Sequence, residues 1–108
     1  MRISYIAVLA IGLAAAPAAA VTEAQFDTIG TLGELNGVAL HCKYLGETRR
    51  MKQALIETLP KRRELGLAFD EVTNRSFVEF IDAGLACPSS VDFSRQVDSA
   101  IEALKEAF

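Results

Sequence analysis

The chain has 108 residues, of which 51% are hydrophobic and 23% are charged, and its formal net charge at pH 7 is −3. This length fits one domain and excludes a multidomain architecture. The acidic balance, together with the absence of aromatic residues between Arg49 and Arg63, argues against nucleic acid as a partner.

Residues 1–20 have the three parts of a secretory signal peptide. Arg2 lies in the short first region, an apolar run follows from about Ile3 to Ala16, and small residues occupy 17–20. The run is shorter than the roughly 20 residues of a transmembrane helix. We therefore expect cleavage before Val21, which leaves 21–108 as a single, soluble helical domain exported to the periplasm. A retained N-terminal anchor is the alternative.

The two cysteines, Cys42 and Cys87, predict one disulfide. An even number of cysteines in a short exported chain favours a covalent link. In the loop-entropy model, a closed loop of this length contributes about 4 kcal/mol, which matters to a domain with a small core. Two free thiols would require a reducing compartment, and a redox-active pair is disfavoured because the chain has no C-x-x-C spacing.

The first predicted helix begins with a capping box formed by Thr22 and Gln25. Apolar residues then recur at helical spacing, namely Phe26, Ile29 and Leu32. We expect the helical stretch to end at Gly46, which can adopt the left-handed conformation of a helix C-cap. Cys42 would then lie in its last turn.

Three glycines interrupt this stretch, and each costs about 1 kcal/mol relative to alanine inside a helix. They are Gly30, Gly33 and Gly37. They predict either a break near Gly30–Gly33 or a bare stripe that lets another helix approach closely. That helix could belong to the same chain, which is the favoured interpretation, or to a second copy.

The next predicted helix covers Glu47–Leu59, with an apolar stripe at i, i+4 and i+8 formed by Met51, Leu55 and Leu59. Its outer face is basic. Pro60 stops or kinks it and can open the following helix, because proline is tolerated at a first helical position.

The segment Lys61–Ala83 is the predicted central core helix, ended by Gly84. Its apolar face at helical spacing consists of Leu65, Phe69, Val72, Ser76, Phe77, Phe80 and Ile81. After Cys87 and Pro88, either Ser89 or Ser90 caps the last helix. The stripe of that helix is Val97, Ala100, Ile101, Leu104 and Phe108.

No segment alternates apolar and polar residues long enough to indicate a strand. The sequence therefore predicts an all-α fold, a small bundle of four to five helices closed by one disulfide. With a break at Gly30–Gly33 counted, the disulfide would join the end of the second helix to the start of the last one.

His41 is the only histidine of the chain. Catalysis would require a nucleophile or carboxylate beside it, and a metal site would require several convergent ligands. No phosphate-binding loop or hydrolase motif accompanies it. We expect no enzymatic activity, no cofactor and no metal site, and an enzyme or metal carrier built on His41 is the third hypothesis for function.

Basic residues are concentrated between Lys43 and Arg63, whereas acidic residues outnumber basic ones in residues 64–108. If the basic residues share a face, they would attract an acidic periplasmic protein or, more weakly, an anionic membrane surface, in a salt-sensitive manner. The alternative is a solvated face that neutralises the acidic C-terminal helices. The candidate partner-binding residues are Arg49, Arg50, Lys52, Lys61, Arg62 and Arg63.

In outline the chain resembles the periplasmic acid-stress chaperones of the HdeA type, which are also small, exported, helical and closed by one disulfide with a comparable spacing. The resemblance rests on Cys42 and Cys87. It implies an acid- or stress-responsive holdase acting as a dissociable homodimer, which would expose apolar faces around Phe69, Phe77, Phe80 and Ile101. The basic central stretch and the single histidine depart from that pattern. The leading hypothesis is therefore a partner-binding protein, with the chaperone second.

Overall fold

A computed structural model of the protein describes residues 20–108. The predicted signal peptide lies outside the described residues except for Ala20, so it stays a prediction. The described residues form four helices and no strand, which confirms the all-α prediction. The helices are α1 (Glu23–His41), α2 (Leu45–Thr58), α3 (Arg63–Ala83) and α4 (Ser90–Ala107).

Helix α1 is the central element, because it packs against each of the other three helices. Helices α2 and α4 also pack against each other, whereas the backbone of α3 approaches α1 alone. Helix α4 runs antiparallel to α1: Gln25 Nε2 donates to the carbonyl of Ala107 over 2.9 Å, and Tyr44 OH donates to the carbonyl of Pro88 over 2.6 Å. The result is a four-helix bundle with α3 on one side.

The core is formed by the inner faces of all four helices. Its members are largely the apolar stripes that the sequence predicts: Ile29, Leu32, Ala39, Met51, Ala54, Leu55, Leu65, Phe69, Phe93, Val97, Ala100 and Leu104. The capping box at Thr22 and the N-cap at Ser89 also form as expected, with Thr22 Oγ1 accepting from the Gln25 N–H and Ser89 Oγ accepting from the Asp92 N–H. Burial of these stripes supplies the main drive for folding.

The glycine stripe of α1 receives α3 of the same chain, and the helix is not broken. A Cβ at Gly33 would lie 2.8 Å from Val72 Cβ, and one at Gly37 would lie 2.6 Å from Ser76 Cβ. At that separation only a residue without a Cβ fits. Ser76 Oγ also donates to the carbonyl of Glu34 over 2.7 Å. The favoured intrachain interpretation is thus confirmed, although Gly30 faces open space.

The prediction that Gly46 ends the first helix is wrong. Helix α1 ends at His41, and Lys43 takes the left-handed conformation with φ 63°. The Tyr44 N–H donates to the carbonyl of Ala39 over 2.8 Å, which gives the hydrogen bonding of a Schellman motif with lysine in the position usually held by glycine. Gly46 lies in the first turn of α2.

Pro60 ends α2 as expected, but it does not open the next helix. Leu59 and Arg62 are both extended, and α3 begins at Arg63 where Lys61 was predicted. The Arg62 N–H donates to the carbonyl of Pro60 over 2.8 Å, which holds the connection in a tight turn. At the other end of α3, Gly84 is left-handed with φ 63°, which confirms the predicted stop.

The disulfide between Cys42 and Cys87 is present, with a Cα–Cα distance of 5.8 Å. It joins the residue after α1 to the segment that precedes α4. The hydrogen bond from Tyr44 to Pro88 lies beside it in sequence, so the covalent link and a polar contact close the same end of the bundle. None of the four helices in residues 20–108 combines the length and apolarity needed to cross a bilayer.

A buried polar cluster lies where α1 meets α2 and α3, and the apolar pattern gave no sign of it. Thr48 Oγ1 donates to Asn36 Oδ1 over 2.7 Å, and Asn36 Nδ2 donates to Thr73 Oγ1 over 3.3 Å. All three residues are buried. Burying such groups without partners would be costly, so their mutual bonds fix the register of three helices.

Candidate partner-binding site

A groove separates α2 from α3, because the two helices pack on α1 without their backbones approaching each other. It consists of two adjoining cavities of about 200 Å³ and 220 Å³. The two cavities share four lining residues, namely Leu55, Ile56, Leu59 and Gly66. We call this feature the α2/α3 groove.

The lining of the α2/α3 groove is mostly apolar. Leu55, Leu65 and Phe69 belong to the buried core and form its floor. Ile56 lies on the rim with 69% of its surface exposed, the largest fraction among the exposed large apolar side chains in the described part of the chain. The groove therefore extends from the buried core of the bundle to an apolar side chain that is exposed to solvent.

Charged residues stand at both ends of the groove. Lys52 and Asp70 line one cavity, and Lys61 and Arg62 line the other. The two lysines and Asp70 are exposed. With both ends counted, the groove carries more positive than negative charge.

Arg62 is engaged with its neighbour on α3. Its Nη2 lies 2.9 Å from Glu64 Oε2. The pKa of Glu64 is lowered, chiefly by the hydrogen bond from its own backbone N–H in the first turn of α3, and further by the bond from Arg62. A carboxylate at a helix N-terminus is favoured there by the helix dipole. Arg63, the first residue of α3, is exposed.

Arg50 lies on the other flank of α2, towards α4. Its guanidinium contacts Glu47 Oε1 and Asp98 Oδ1, each over 2.8 Å. These contacts raise the pKa of Arg50, with the hydrogen bond that Arg50 donates to Glu47 as the largest cause. Arg49 and Arg50 both line a separate cleft between α2 and α4, with Lys105 on its far side.

Five of the six predicted basic residues fall on two surfaces, and Arg63 lines neither of them. Lys52, Lys61 and Arg62 line the α2/α3 groove, whereas Arg49 and Arg50 face the cleft with α4. Two apolar or small residues of the groove were missed by the sequence reasoning. Ile56 is an apolar residue outside the stripe of Met51, Leu55 and Leu59, and Gly66 is a glycine inside a predicted helix. Both departures from the helical pattern were visible in the sequence.

His41 lies at the C-terminal end of α1 with an exposed side chain. Its ring packs against Phe77 and Phe80, with centroid distances of 6.0 Å and 5.1 Å. Within residues 20–108, no three histidine, cysteine, aspartate or glutamate side chains cluster closely enough to hold a metal ion.

A second cleft, between α1 and α3, has the opposite charge. Asp27, Glu34 and Glu71 line it, with Arg75 as its one basic residue and Gly30 at its base. The surface of the bundle is thus divided, with positive charge at the groove beside α2 and negative charge in the cleft beside α1.

Comparison of the chain with protein-family models, with curated proteins and with solved structures found no match.

Proposed function

We propose that this chain is an exported, non-enzymatic helical protein that binds an acidic partner protein through the basic surface of α2 and the α2–α3 connection. The observation that carries the proposal is that Lys52 and Lys61 stand at the ends of a groove with an apolar lining. Such a surface offers a partner both charge, which speeds and orients association, and apolar area, which holds the complex together.

The basic residues contribute unequally to this proposal. Arg50 already forms ion pairs with Glu47 and Asp98, so its charge is largely compensated within the fold. Arg62 is paired with Glu64. The exposed side chains of Lys52 and Lys61 are therefore the main groups proposed to attract the partner, with Arg49 and Arg63 adding to the long-range field.

The test is capture of partners by the exported, processed protein, with its disulfide intact, from periplasmic extract at low and high salt. The double variant Lys52→Glu with Lys61→Glu should lose a salt-sensitive partner. Arg75→Glu with Lys105→Glu changes the net charge equally at exposed sites away from the groove and should keep it. A partner retained equally by both double variants would contradict the proposal.

A holdase is the second candidate, and one observation favours it. The outer face of α3 carries three large apolar side chains that are about half exposed, namely Leu67, Val78 and Ile81. Of the faces expected to act in a holdase, Phe69 and Phe80 are buried and Phe77 and Ile101 are partly buried, so they would require partial opening of the bundle. The test is whether the protein suppresses the aggregation of a client at low pH. Suppression that the Lys52 and Lys61 substitutions leave unchanged would favour this function.

A further inference from the structure

Gly66 is a helical glycine that the packing of the chain does not require. Glycine inside a helix costs about 1 kcal/mol relative to alanine. At Gly33 and Gly37 the close approach of α3 explains that cost, but a Cβ at Gly66 would meet no atom within 4 Å. Gly30 and Gly46 are equally open. Of these three, Gly66 alone lies in the α2/α3 groove.

The surroundings of Gly66 point to an external group that comes close to α3. A glycine lets a ligand or another chain approach the helix backbone. On the far side of the groove stands Ile56, mostly exposed, and beneath it lie the buried side chains of Leu55 and Phe69. An apolar side chain placed over Gly66 would contact all of these and would remove the surface of Ile56 from water.

The size of the groove limits what can enter it. Its two cavities measure about 200 Å³ and 220 Å³ and share part of their lining, so they admit a few side chains but no globular element. Along α2, the groove extends from Lys52 to Leu59, which is about 10 Å at the rise of an α-helix. This is the length of two helical turns or of three extended residues.

The two ends of the groove differ in charge. The end at Lys52 also carries Asp70, so one positive and one negative group meet there. The other end carries Lys61 and Arg62, of which Arg62 is paired with Glu64. A carboxylate of the occupant is therefore favoured at the Lys61 end.

We propose that the α2/α3 groove binds a short amphipathic segment of a partner protein, which places one or two apolar side chains over Gly66 and a carboxylate beside Lys61. This inference rests on the proposed function and names the chemistry of the partner.

The test uses a displayed library of random 12-residue peptides, panned on the exported, processed protein. Peptides rich in Leu, Ile or Phe with a flanking Asp or Glu should be enriched. Gly66→Leu fills the groove from α3 and should weaken their binding about tenfold or more. The matched control is Gly46→Leu, which adds the same side chain at an equally open glycine beside the α2–α4 cleft and should leave binding unchanged.

A second variant covers the case in which Gly66→Leu fails to fold, as judged by circular dichroism. Ile56→Asp changes an exposed residue of the rim, so the fold should be kept while peptide binding falls by a similar factor. The inference is overturned if no apolar–acidic peptide is enriched, or if enriched peptides bind Gly66→Leu or Ile56→Asp as tightly as the unchanged protein.

The two proposals fail in different ways. If the partner captured from extract is lost in the Lys52 and Lys61 double variant but retained by Gly66→Leu, the partner-binding function stands and the groove is not its site. If neither set of substitutions affects capture, both proposals are wrong.

Discussion

Gly37 of α1 lies directly against Ser76 of α3, so closely that a Cβ on Gly37 would stand 2.6 Å from Ser76 Cβ and 2.7 Å from the backbone nitrogen of Phe77. The second of these contacts is with backbone, which cannot move aside as a flexible side chain can. The contact of α1 with α3 therefore depends on the missing side chain at this position.

Gly37→Ala should destabilise the protein by roughly 1–3 kcal/mol, because the added methyl group forces α3 away from α1. The matched control is Gly30→Ala on the same helix, where a Cβ meets nothing within 4 Å. That substitution should stabilise the protein by up to about 1 kcal/mol through helix propensity. Urea denaturation of both variants gives the comparison, and equal effects of the two would contradict the packing described here.

Lys43→Gly should stabilise the protein by about 1 kcal/mol. Lys43 holds the left-handed conformation at the end of α1, which is unfavourable for a residue with a Cβ. The reciprocal change, Gly84→Lys, places a lysine at the same φ of 63° at the end of α3 and should destabilise by a similar amount. Thermal midpoints of the two variants should move in opposite directions, and a lower midpoint for Lys43→Gly would refute the argument.

Asn36→Ala should cost roughly 2–4 kcal/mol. The change leaves the hydroxyls of Thr48 and Thr73 without their buried partner and opens a cavity between three helices. Replacing both threonines by valine in the Asn36→Ala background removes the unsatisfied groups and should recover part of the loss. Each threonine-to-valine change is also measured alone in the unchanged protein. If the triple variant is less stable than Asn36→Ala by the sum of these two separate effects, the three side chains do not act as a cluster.

Glu64 should give the stability a weak dependence on acid pH. Its pKa in the folded protein lies below the ordinary value of 4.5, so it contributes stability at pH values above that value. The contribution is lost as the pH falls through the lower, folded-state pKa. The thermal midpoint of the unchanged protein should thus exceed that of Glu64→Gln near pH 7, and the difference should close on acidification. A difference that grows below pH 4.5 would contradict this sign.

Much of the fold could be predicted from local pattern, and the exceptions have physical causes. The stripes of Met51 and Leu55 or of Val97 and Leu104 repeat with the helical period, so their burial follows directly. The end of α1 was missed because a left-handed lysine closes it, while a nearby glycine, Gly46, offered the usual signal. The backbone hydrogen bond from Tyr44 to Ala39 closes the helix there, and lysine gives no sequence signal for the left-handed conformation that this bond requires.

The candidate site was predicted less completely than the fold. The excess of basic residues was visible, but their division between two surfaces depends on how α2 rotates on α1 and α4. Thr48 and Met51 are buried on the inner face of α2, and Arg50 contacts Asp98 of α4 on its flank. The α2/α3 groove depends on the separation of two helices that never pair, which a helical pattern does not specify.

The position of α3 also bears on how the molecule opens. Its backbone meets only α1, whereas α1, α2 and α4 pack in mutual contact. Local opening in proteins begins where buried contacts are fewest, and the contact of α3 with α1 is the most extensive in the bundle and very close at Gly33 and Gly37. Amide protons of α2, which makes the least extensive contacts, should therefore exchange with solvent sooner than those of α1 and α3, and the disulfide, whose loop contains α2 and α3, would keep α2 tethered while it opens.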